Sequence, residues 1–335
     1  MTTIRDIATK ANTSIATVSR VINNQSGFSQ ETKERVEKVI EEREYEPNAI
    51  ARGLIKNKTN TIGVMFPNIA SMLTSELLNG IENVAQSRNF SIIVSYTYSS
   101  PERTMEYLKT LKEKRIDGLI FTSDFLTDKY ISYMKKMNIP IVLLSTITTK
   151  AQLPFVKVDD FKASYAAVEY LINKGHTKIA LLSGNPEDTI AGEPRIAGYK
   201  KALQDHHLPC KDNQIAYGYD FNFQDGKNNL GKLLSQFPEM TAIFAASDEM
   251  AVGAIASAHE RNILIPDELS IIGYDNILIS EMASPSLTTV GQPLFDMGCT
   301  AANLLFKKIN NEELIETEVY LPYKIVERNS VQKLN

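Results

Sequence analysis

The chain has 335 residues, of which 43% are hydrophobic and 23% are charged, and its formal net charge at pH 7 is −4. This length favours a small module joined to a larger core over one domain of common size. No apolar run approaches the roughly 18 residues that span a bilayer, and the N-terminus lacks the basic patch and apolar stretch of a signal peptide. We therefore expect a cytoplasmic protein that does not insert into membranes.

The net charge is an average over unlike parts of the chain. Residues 1–58 hold ten Lys or Arg and eight Asp or Glu, which gives +2, and the remainder therefore carries −6. A positive segment can contact phosphates on one face while the acidic remainder discourages non-specific binding. Net charge alone neither proves nor excludes DNA binding.

Neither the cysteines nor the paired acids indicate a metal or redox site. Cys210 and Cys299 are far apart in sequence and match no metal-binding spacing, so both are expected to be reduced thiols. Asp159-Asp160 has the look of a metal pair, but ending a strand and capping a helix is the simpler interpretation. The sequence predicts no metal ion and no cofactor.

Two short helices joined by a tight turn are predicted at the N-terminus. Asn12 suits the turn because Asn tolerates left-handed backbone, and Ser14 is a good N-cap for the second helix. The apolar stripes at helical spacing are Ile4, Ile7, Ala8 and Ala11 in the first helix and Val18, Val21 and Ile22 in the second.

The face of the second helix outside its apolar stripe has few long charged side chains. Such a face suits the major groove of DNA, in which Arg20 can donate two hydrogen bonds to a guanine. The alternative is a surface helical hairpin of a globular domain. The residues of this face are Ile15, Ala16, Thr17, Ser19, Arg20 and Asn23.

A third helix and a short polar segment complete the N-terminal region. The helix is predicted from the N-cap Ser29 to about Glu44, and Tyr45-Glu46-Pro47 ends it. Asn48 can cap a helix over residues 48–56, which is shorter than the roughly 12–15 residues at which isolated helices become marginally stable. We expect this segment to be helical only when something packs on it.

From residue 61 the pattern changes to apolar strands that alternate with amphipathic helices. This alternation predicts parallel sheets built from βαβ units, arranged as two lobes with a cleft between them, and the array divides near residues 155–160. The strand candidates are Ile62–Phe66, Ile92–Tyr96, Gly118–Thr122, Ile141–Leu144, Lys178–Ser183, Ala242–Ala246 and Leu269–Gly273, with a final strand or strand pair in Val319–Glu327.

Motifs in a fixed order along nearly the whole chain are similar to those of one known family. The most specific are Thr3-Ile4-Arg5-Asp6-Ile7-Ala8 and Ala16-Thr17-Val18-Ser19-Arg20-Val21-Ile22-Asn23. The moderately specific ones are Tyr45-Glu46-Pro47-Asn48, Gly175-His176, Arg195-Ile196-Ala197-Gly198-Tyr199, Ser247-Asp248-Glu249-Met250-Ala251, Ile272-Gly273-Tyr274-Asp275-Asn276 and Leu287-Thr288-Thr289-Val290-Gly291-Gln292-Pro293. With these motifs the chain resembles the lactose/galactose repressor (LacI/GalR) family of bacterial transcription regulators.

The resemblance implies a domain organisation. An all-α helix-turn-helix DNA-binding domain would span residues 1–46, and a hinge helix and linker would span 47–60. A two-lobed, periplasmic-binding-protein-like core for ligand binding and dimerisation would span 61–335, each lobe a Rossmann-like parallel-sheet subdomain. Its first lobe is expected at about 61–160 plus 291–318, and its second at about 161–290 plus 319–330.

The resemblance also implies a homodimer on a near-palindromic operator in double-stranded DNA. Ile15, Ala16 and Arg20 would meet base edges, while Ala51 and Leu54 of the hinge would enter the minor groove, Leu54 as an apolar wedge. The other expected DNA-binding residues, several of them on phosphates, are Thr3, Ser14, Thr17, Ser19, Asn23, Ser29, Tyr45 and Asn48.

Candidate effector residues follow strand ends, where the ligand of a two-lobed α/β protein is expected to lie. A carboxylate can accept two vicinal hydroxyls, a guanidinium can donate to ring oxygens, and an aromatic ring can cover the apolar face of a sugar. A small sugar or sugar phosphate is therefore predicted as the effector. The candidates are Ser71, Arg195, Ser247 and Asp275, whereas Asp248 is expected to cap a helix. The family resemblance adds Phe221, which stands where members hold an aromatic residue against a sugar or purine ring.

At two places the sequence differs from the family pattern, and the family's functional residues cannot be assigned to this chain there. Ser71-Met72-Leu73 stands where many members have Asn-Pro-Phe, which weakens the case for ligand contacts from that helix start. Asn303 stands where members that respond to a phosphorylated carrier protein have an Arg for the phosphoserine. We therefore favour a repressor of local carbohydrate-utilisation genes over a catabolite-control regulator, which remains an alternative.

An enzyme and a solute-binding protein are the two alternatives to a regulator. The chain has no G-x-G turn, G-K-[ST] phosphate loop, H-E-x-x-H or G-x-S-x-G motif, so an enzyme is not predicted. A solute-binding protein of a sugar transporter would share the two-lobed core, but the missing export signal and the N-terminal helices argue against it.

Overall fold

The computed structural model describes residues 2–23, 25–45, 58–68, 71–122 and 126–334. They divide into two compact units, Met1–Asn60 and Thr61–Asn335. The predicted hinge residues Asn48, Ala51 and Leu54 lie outside the described residues.

The described part of the first unit contains the helices α1 (Ile4–Lys10), α2 (Ile15–Ile22) and α3 (Gln30–Glu42). The predicted apolar stripes pack together, with Ile7, Val18 and Val36 fully buried at their centre. The stability of such a small core depends on well-formed helix ends, because intrinsic helix propensity alone does not make short helices stable.

The three helices of this unit begin at capping hydroxyls. Ser14 Oγ accepts a hydrogen bond of 3.0 Å from the N–H of Thr17, and Ser29 Oγ accepts one of 3.2 Å from the N–H of Thr32. Asn12 has a φ of +47°, which is the left-handed turn that the sequence predicted. The predicted caps and the tight turn are therefore confirmed.

The second unit alternates strands with helices, as predicted. The strands are β1 (Thr61–Phe66), β2 (Ser91–Tyr96), β3 (Gly118–Phe121), β4 (Ile141–Leu144), β5 (Phe155–Lys157), β6 (Ile179–Ser183), β7 (Ile215–Tyr217), β8 (Ala242–Ala245), β9 (Ser270–Asp275), β10 (Thr288–Gly291), β11 (Glu318–Tyr320) and β12 (Lys324–Val326). The helices are α4 (Met72–Ser87), α5 (Pro101–Glu113), α6 (Asp128–Met137), α7 (Asp160–Asn173), α8 (Gly192–Asp205), α9 (Phe223–Gln236), α10 (Asp248–His259), α11 (Leu278–Met282) and α12 (Leu294–Ile309), with a 3₁₀ turn at Asp212–Gln214.

These strands form two six-stranded sheets, one in each lobe. The first has the order β11-β5-β4-β3-β1-β2 and the second the order β12-β10-β9-β8-β6-β7. The pairs are parallel except for β10 with β12. Buried apolar residues such as Ile62, Val142, Leu181 and Ile272 lie between the sheets and the helices that cover them.

The chain crosses between the lobes three times, after β5, after β10 and after β11. The last crossing corrects one predicted boundary. Val319 pairs with Val156 in the first sheet, so the chain returns to the second lobe after Tyr320, not at residue 319. The predicted final strand pair is real, but its members β11 and β12 belong to different sheets.

Three strands were not among the sequence candidates. β5, β7 and β10 have only three or four residues each, which is too short for a run of period two to stand out. No helix among the described residues is both long enough and apolar enough to cross a membrane.

Candidate functional site

A cavity of about 210 Å³ lies between the two lobes, at the carboxyl ends of their strands. This is where the ligand of a doubly wound sheet is expected. Ser71, Arg195, Phe221, Ser247 and Asp275, the candidates named from the sequence, all line it.

A cluster of buried charges underlies one wall of the cavity. Asp160, the first residue of α7, accepts a hydrogen bond of 2.8 Å from Arg195 Nε and pairs at 2.9 Å with Lys157 Nζ. The Tyr274 hydroxyl donates to the same carboxylate at 3.0 Å. Burial alone would raise the pKa of Asp160, but Arg195 and then Lys157 outweigh it and hold that pKa below its ordinary value.

The guanidinium of Arg195 makes two hydrogen bonds within this cluster. Besides Asp160, it donates from Nη1 to the carbonyl of Ala246 at 2.5 Å. Its Cζ lies 3.9 Å from the centre of the Tyr274 ring and 5.2 Å from that of Phe221. Arg195 therefore positions the aromatic wall of the cavity while using two of its five N–H donors.

Asp275, the last residue of β9, is the most unusual of the lining residues. Its φ is +118°, and its carboxylate is only 5% exposed. One oxygen, Oδ1, accepts a hydrogen bond of 2.7 Å from Gln292 Nε2, on the second crossing. Burial raises the pKa of Asp275 to about 7. A strained backbone and a shifted pKa together are typical of functional sites.

Ser247 supports the cavity wall. Its hydroxyl donates to the carbonyl of Phe221 at 2.6 Å and accepts from the N–H of Met250 at 3.0 Å, so it caps α10. Asp248 is therefore not the cap that the sequence predicted. Its buried carboxylate instead accepts from the N–H of Ile277 and the hydroxyl of Thr289.

Ser71 stands at the N-terminus of α4 without a capping hydrogen bond from its side chain. Leu73 and Thr74 in the first turn also line the cavity. The start of a helix offers N–H groups that have no partner within the helix. This end of α4 can thus donate hydrogen bonds into the cleft.

Several other residues line the cavity that the sequence analysis did not predict as effector contacts. They are Lys157, Asp160, Asp188, Glu249 and Gln292. Of the Asp159-Asp160 pair, Asp159 does cap α7, while Asp160 anchors the charge cluster. Within the described ranges, no group of His, Cys, Asp and Glu is arranged to hold a metal ion.

In the first unit, α2 presents the face that the sequence singled out. Ile15 is 44% exposed, Ala16 and Arg20 are exposed, and Thr17 and Ser19 are partly so. Asn23 Nδ2 donates to the carbonyl of Ser19 at 2.7 Å and thereby closes the end of the helix.

The other predicted DNA contacts serve local structure as well. Thr3 forms a capping box with Asp6, and Ser14 and Ser29 cap α2 and α3. Tyr45 is partly buried against the three-helix core. Cap hydroxyls at helix starts also lie where phosphate oxygens can bind N–H groups.

A three-helix unit with a small-residue helix face, followed by a two-lobed core around a polar cleft, defines a ligand-responsive DNA-binding protein. Residues 3–48 match the family described as bacterial regulatory proteins, lacI family, and residues 168–331 match a periplasmic binding protein-like domain. The chain belongs to the lacI family and is a DNA-binding transcriptional regulator. Its relatives are regulators and not enzymes.

Relatives and solved structures are similar to most or nearly all of this chain. Catabolite control protein A of Priestia megaterium is 39% identical over 98% of this chain and 99% of its own. A lac repressor dimer bound to operator and an anti-inducer has a TM-score of 0.88 and 27% identity, with 99% of each chain covered. A LacI family regulator of Enterococcus faecium with bound ribose has a TM-score of 0.74 and 32% identity over 82% of this chain and 100% of its own.

Proposed function

We propose that this regulator is a repressor of carbohydrate-utilisation genes that binds a pseudo-palindromic operator as a homodimer. A small sugar in the cleft would switch its affinity for DNA. The observation that carries this proposal is the cavity between the lobes, whose lining includes both a buried carboxylate, Asp275, and an aromatic ring, Phe221. Solved relatives in this fold hold ribose and cellobiose.

The proposed DNA interface is the exposed face of α2. Ile15 and Ala16 would approach base edges, and Arg20, which has no ion-pair partner among the described residues, would donate to a guanine. Phosphates of the DNA backbone would be bound by Thr17, Ser19 and Asn23. The remaining proposed DNA contacts of this unit are Thr3, Ser14, Ser29 and Tyr45. Asn48, Ala51 and Leu54 would add the minor-groove contact of the hinge.

A second copy of the chain is the proposed dimer partner. Several large apolar side chains of the second lobe are exposed, among them Tyr219 at 84%, Met282 at 69% and Leu278 at 59%. Leu278 and Met282 are four residues apart on α11 and therefore share one helix face, and a contiguous exposed apolar patch is typical of a surface that a partner covers. Two copies would place two helix-turn-helix units on the two halves of an operator.

The proposed effector site uses hydrogen-bonding groups and an aromatic face that remain available to a ligand. Oδ2 of Asp275 can accept sugar hydroxyls while Oδ1 stays bound to Gln292. The Phe221 ring, held by Ser247, can cover the apolar face of a pyranose. Donors at the start of α4, beside Ser71, can bind hydroxyl oxygens from the first lobe.

The proposed switch is a population shift in the angle between the lobes. A ligand that contacts both lobes favours the closed arrangement by its differential affinity for it. In a dimer this changes the spacing of the two 47–60 segments, and hinge helices that are held together can fold on DNA while separated ones melt. The ligand then acts as corepressor or inducer according to which arrangement binds the operator.

The proposal is tested by selecting duplexes from a random pool with the purified full-length chain and measuring their affinity. We expect a pseudo-palindromic site with a change in affinity when a cleft sugar is added. Selection of no common sequence, or a complex with one chain per site, would contradict the operator and dimer claims.

A further inference from the structure

We propose that the cleft takes an unphosphorylated, uncharged sugar and rejects sugar phosphates, and that Glu249 is a residue that enforces this choice. This inference rests on the proposed function, because it specifies the ligand class of the same cleft. The observation behind it is the charge balance of the lining, which holds two basic and four acidic side chains.

Both basic side chains of the lining are held by protein partners, since they share the Asp160 carboxylate and each also donates to a backbone carbonyl. Lys157 Nζ pairs with Asp160 at 2.9 Å and donates to the carbonyl of Ile190 at 2.8 Å. Arg195 is held by Asp160 and the carbonyl of Ala246, with its flat faces against aromatic rings. Turning either cation towards a phosphate would break a buried charge-assisted hydrogen bond to Asp160, which is unfavourable. The charge that the two cations have in excess of Asp160 is opposed by the other acidic side chains of the lining, Asp188, Glu249 and Asp275.

The acidic side chains, in contrast, keep free acceptor capacity. Glu249, the second residue of α10, is partly buried and makes no hydrogen bond or ion pair with another described residue. It lies close enough to Asp275 for its charge to add to the effect of burial in raising the pKa of Asp275. The cleft therefore presents two neighbouring acceptors, which suit donating hydroxyls.

Asp188 is a further acidic side chain of the lining. Its carboxylate accepts backbone N–H groups of Ile190, Ala191 and Gly192 at 2.8, 3.3 and 3.2 Å. These bonds favour its ionised form. A phosphate dianion that entered the cleft would meet this charge as well as that of Glu249.

The N-terminus of α4 is the feature of the cleft that favours anions. Its macrodipole is equivalent to about half a positive charge, which falls short of a dianion's charge. Like charges in a partly desolvated cleft repel more strongly than in water. Hydroxyl oxygens, which are uncharged, can use the same N–H groups without this repulsion.

The experiment compares sugars with their own phosphates on the full-length, operator-bound chain. Glucose and glucose 6-phosphate, and ribose and ribose 5-phosphate, are titrated by calorimetry. In any pair that binds, we expect the neutral member to bind at least roughly tenfold more tightly. Glu249→Gln should bind the phosphate several-fold more tightly than the parent, and Glu249→Lys should do so to a larger extent. Glu239→Gln, a change at an exposed site of the same lobe, should leave the ratio unchanged.

The outcomes separate this inference from the proposed function. Tighter binding of a phosphate than of its parent sugar would overturn the inference alone, and so would an unchanged ratio in both Glu249 variants. If the chain binds operator but neither member of any pair, the proposed sugar effector is itself wrong and the inference falls with it.

Discussion

Arg195 Nε and Asp160 Oδ1 are joined by a hydrogen bond of 2.8 Å between two buried side chains. Asp160 is the first residue of α7, directly after the first crossing between the lobes, and Arg195 lies in the next helix, α8. Lys157, which pairs with the same carboxylate, ends β5 of the first lobe. This cluster therefore fixes the chain where it passes from one lobe to the other.

Asp160→Asn should destabilise the core by about 3 kcal/mol or more, because it leaves two buried cations without their counter-charge. The free energy of unfolding, measured with urea, gives this cost. Asp159→Asn is the matched control, since Asn caps a helix as well as Asp and the Asp159–Lys162 pair is exposed. The control should lose at most about 1 kcal/mol. Equal losses in the two variants would contradict the role of the cluster.

The pKa of Asp275 predicts a pH-dependent stability. Its folded value of about 7 is above the ordinary value of 3.8, so the folded state retains a proton that the unfolded state releases between these values. The free energy of unfolding should fall as the pH rises from 4 to 7, by about 1.4 kcal/mol for each unit by which the pKa is raised. Above pH 7 the loss levels off.

Asp275→Asn should flatten this part of the curve, because the amide carries no proton to release. Urea unfolding of both proteins at pH 4, 5, 6, 7 and 8 measures the difference. Parallel curves for the parent and the variant would show that Asp275 titrates normally in the folded chain.

Helices α4 and α12 approach each other closely at Gly80. A Cβ at this position would collide with the carbonyl oxygen of Phe295, whose backbone cannot yield easily. Gly80→Ala should therefore cost about 1–3 kcal/mol of unfolding free energy. Gly231→Ala is the control within α9, where the nearest atom is the flexible end of Arg261 at 3.0 Å. That change should be neutral or stabilising by up to about 1 kcal/mol, and a loss as large as at Gly80 would refute the close contact as the cause.

Leu54→Ala tests the proposed minor-groove wedge. Removing a wedge worth a few kcal/mol should weaken operator binding by about a hundredfold, without lowering the unfolding free energy of the core. Ile315→Ala, at a 97% exposed apolar side chain between α12 and β11 and outside the second lobe, is the control and should bind operator as the parent does. Anisotropy titrations measure both, and equal affinities in the two variants would remove Leu54 from the interface.

Much of the fold was predictable because its signals are local. The caps Ser14 and Ser29 and the helical stripes fixed where α2 and α3 begin, and alternating apolar runs gave most strands of both sheets. Short strands such as β7 and β10 were missed, because their pairing depends on neighbours distant in sequence.

The charge cluster of the cleft could not have been found in this way. Asp160 is 35 positions from Arg195 and 114 from Tyr274, so only the folded topology brings them together. Glu249 sits in a recognised motif, but whether its side chain faces the cleft depends on the packing of α10. For the same reason the sequence does not reveal that the Ser247 hydroxyl, a predicted ligand contact, is bonded to Phe221 and Met250.

The account is tested most directly by the affinity of the full-length chain for its selected operator, with and without a saturating cleft sugar. We expect a change of about 5- to 150-fold in the dissociation constant, as typical coupling free energies imply. Asp275→Ala should bind the operator without sugar as the parent does, and should lose the response to sugar. An operator affinity that is the same with and without bound sugar would contradict the claim that the cleft controls DNA binding.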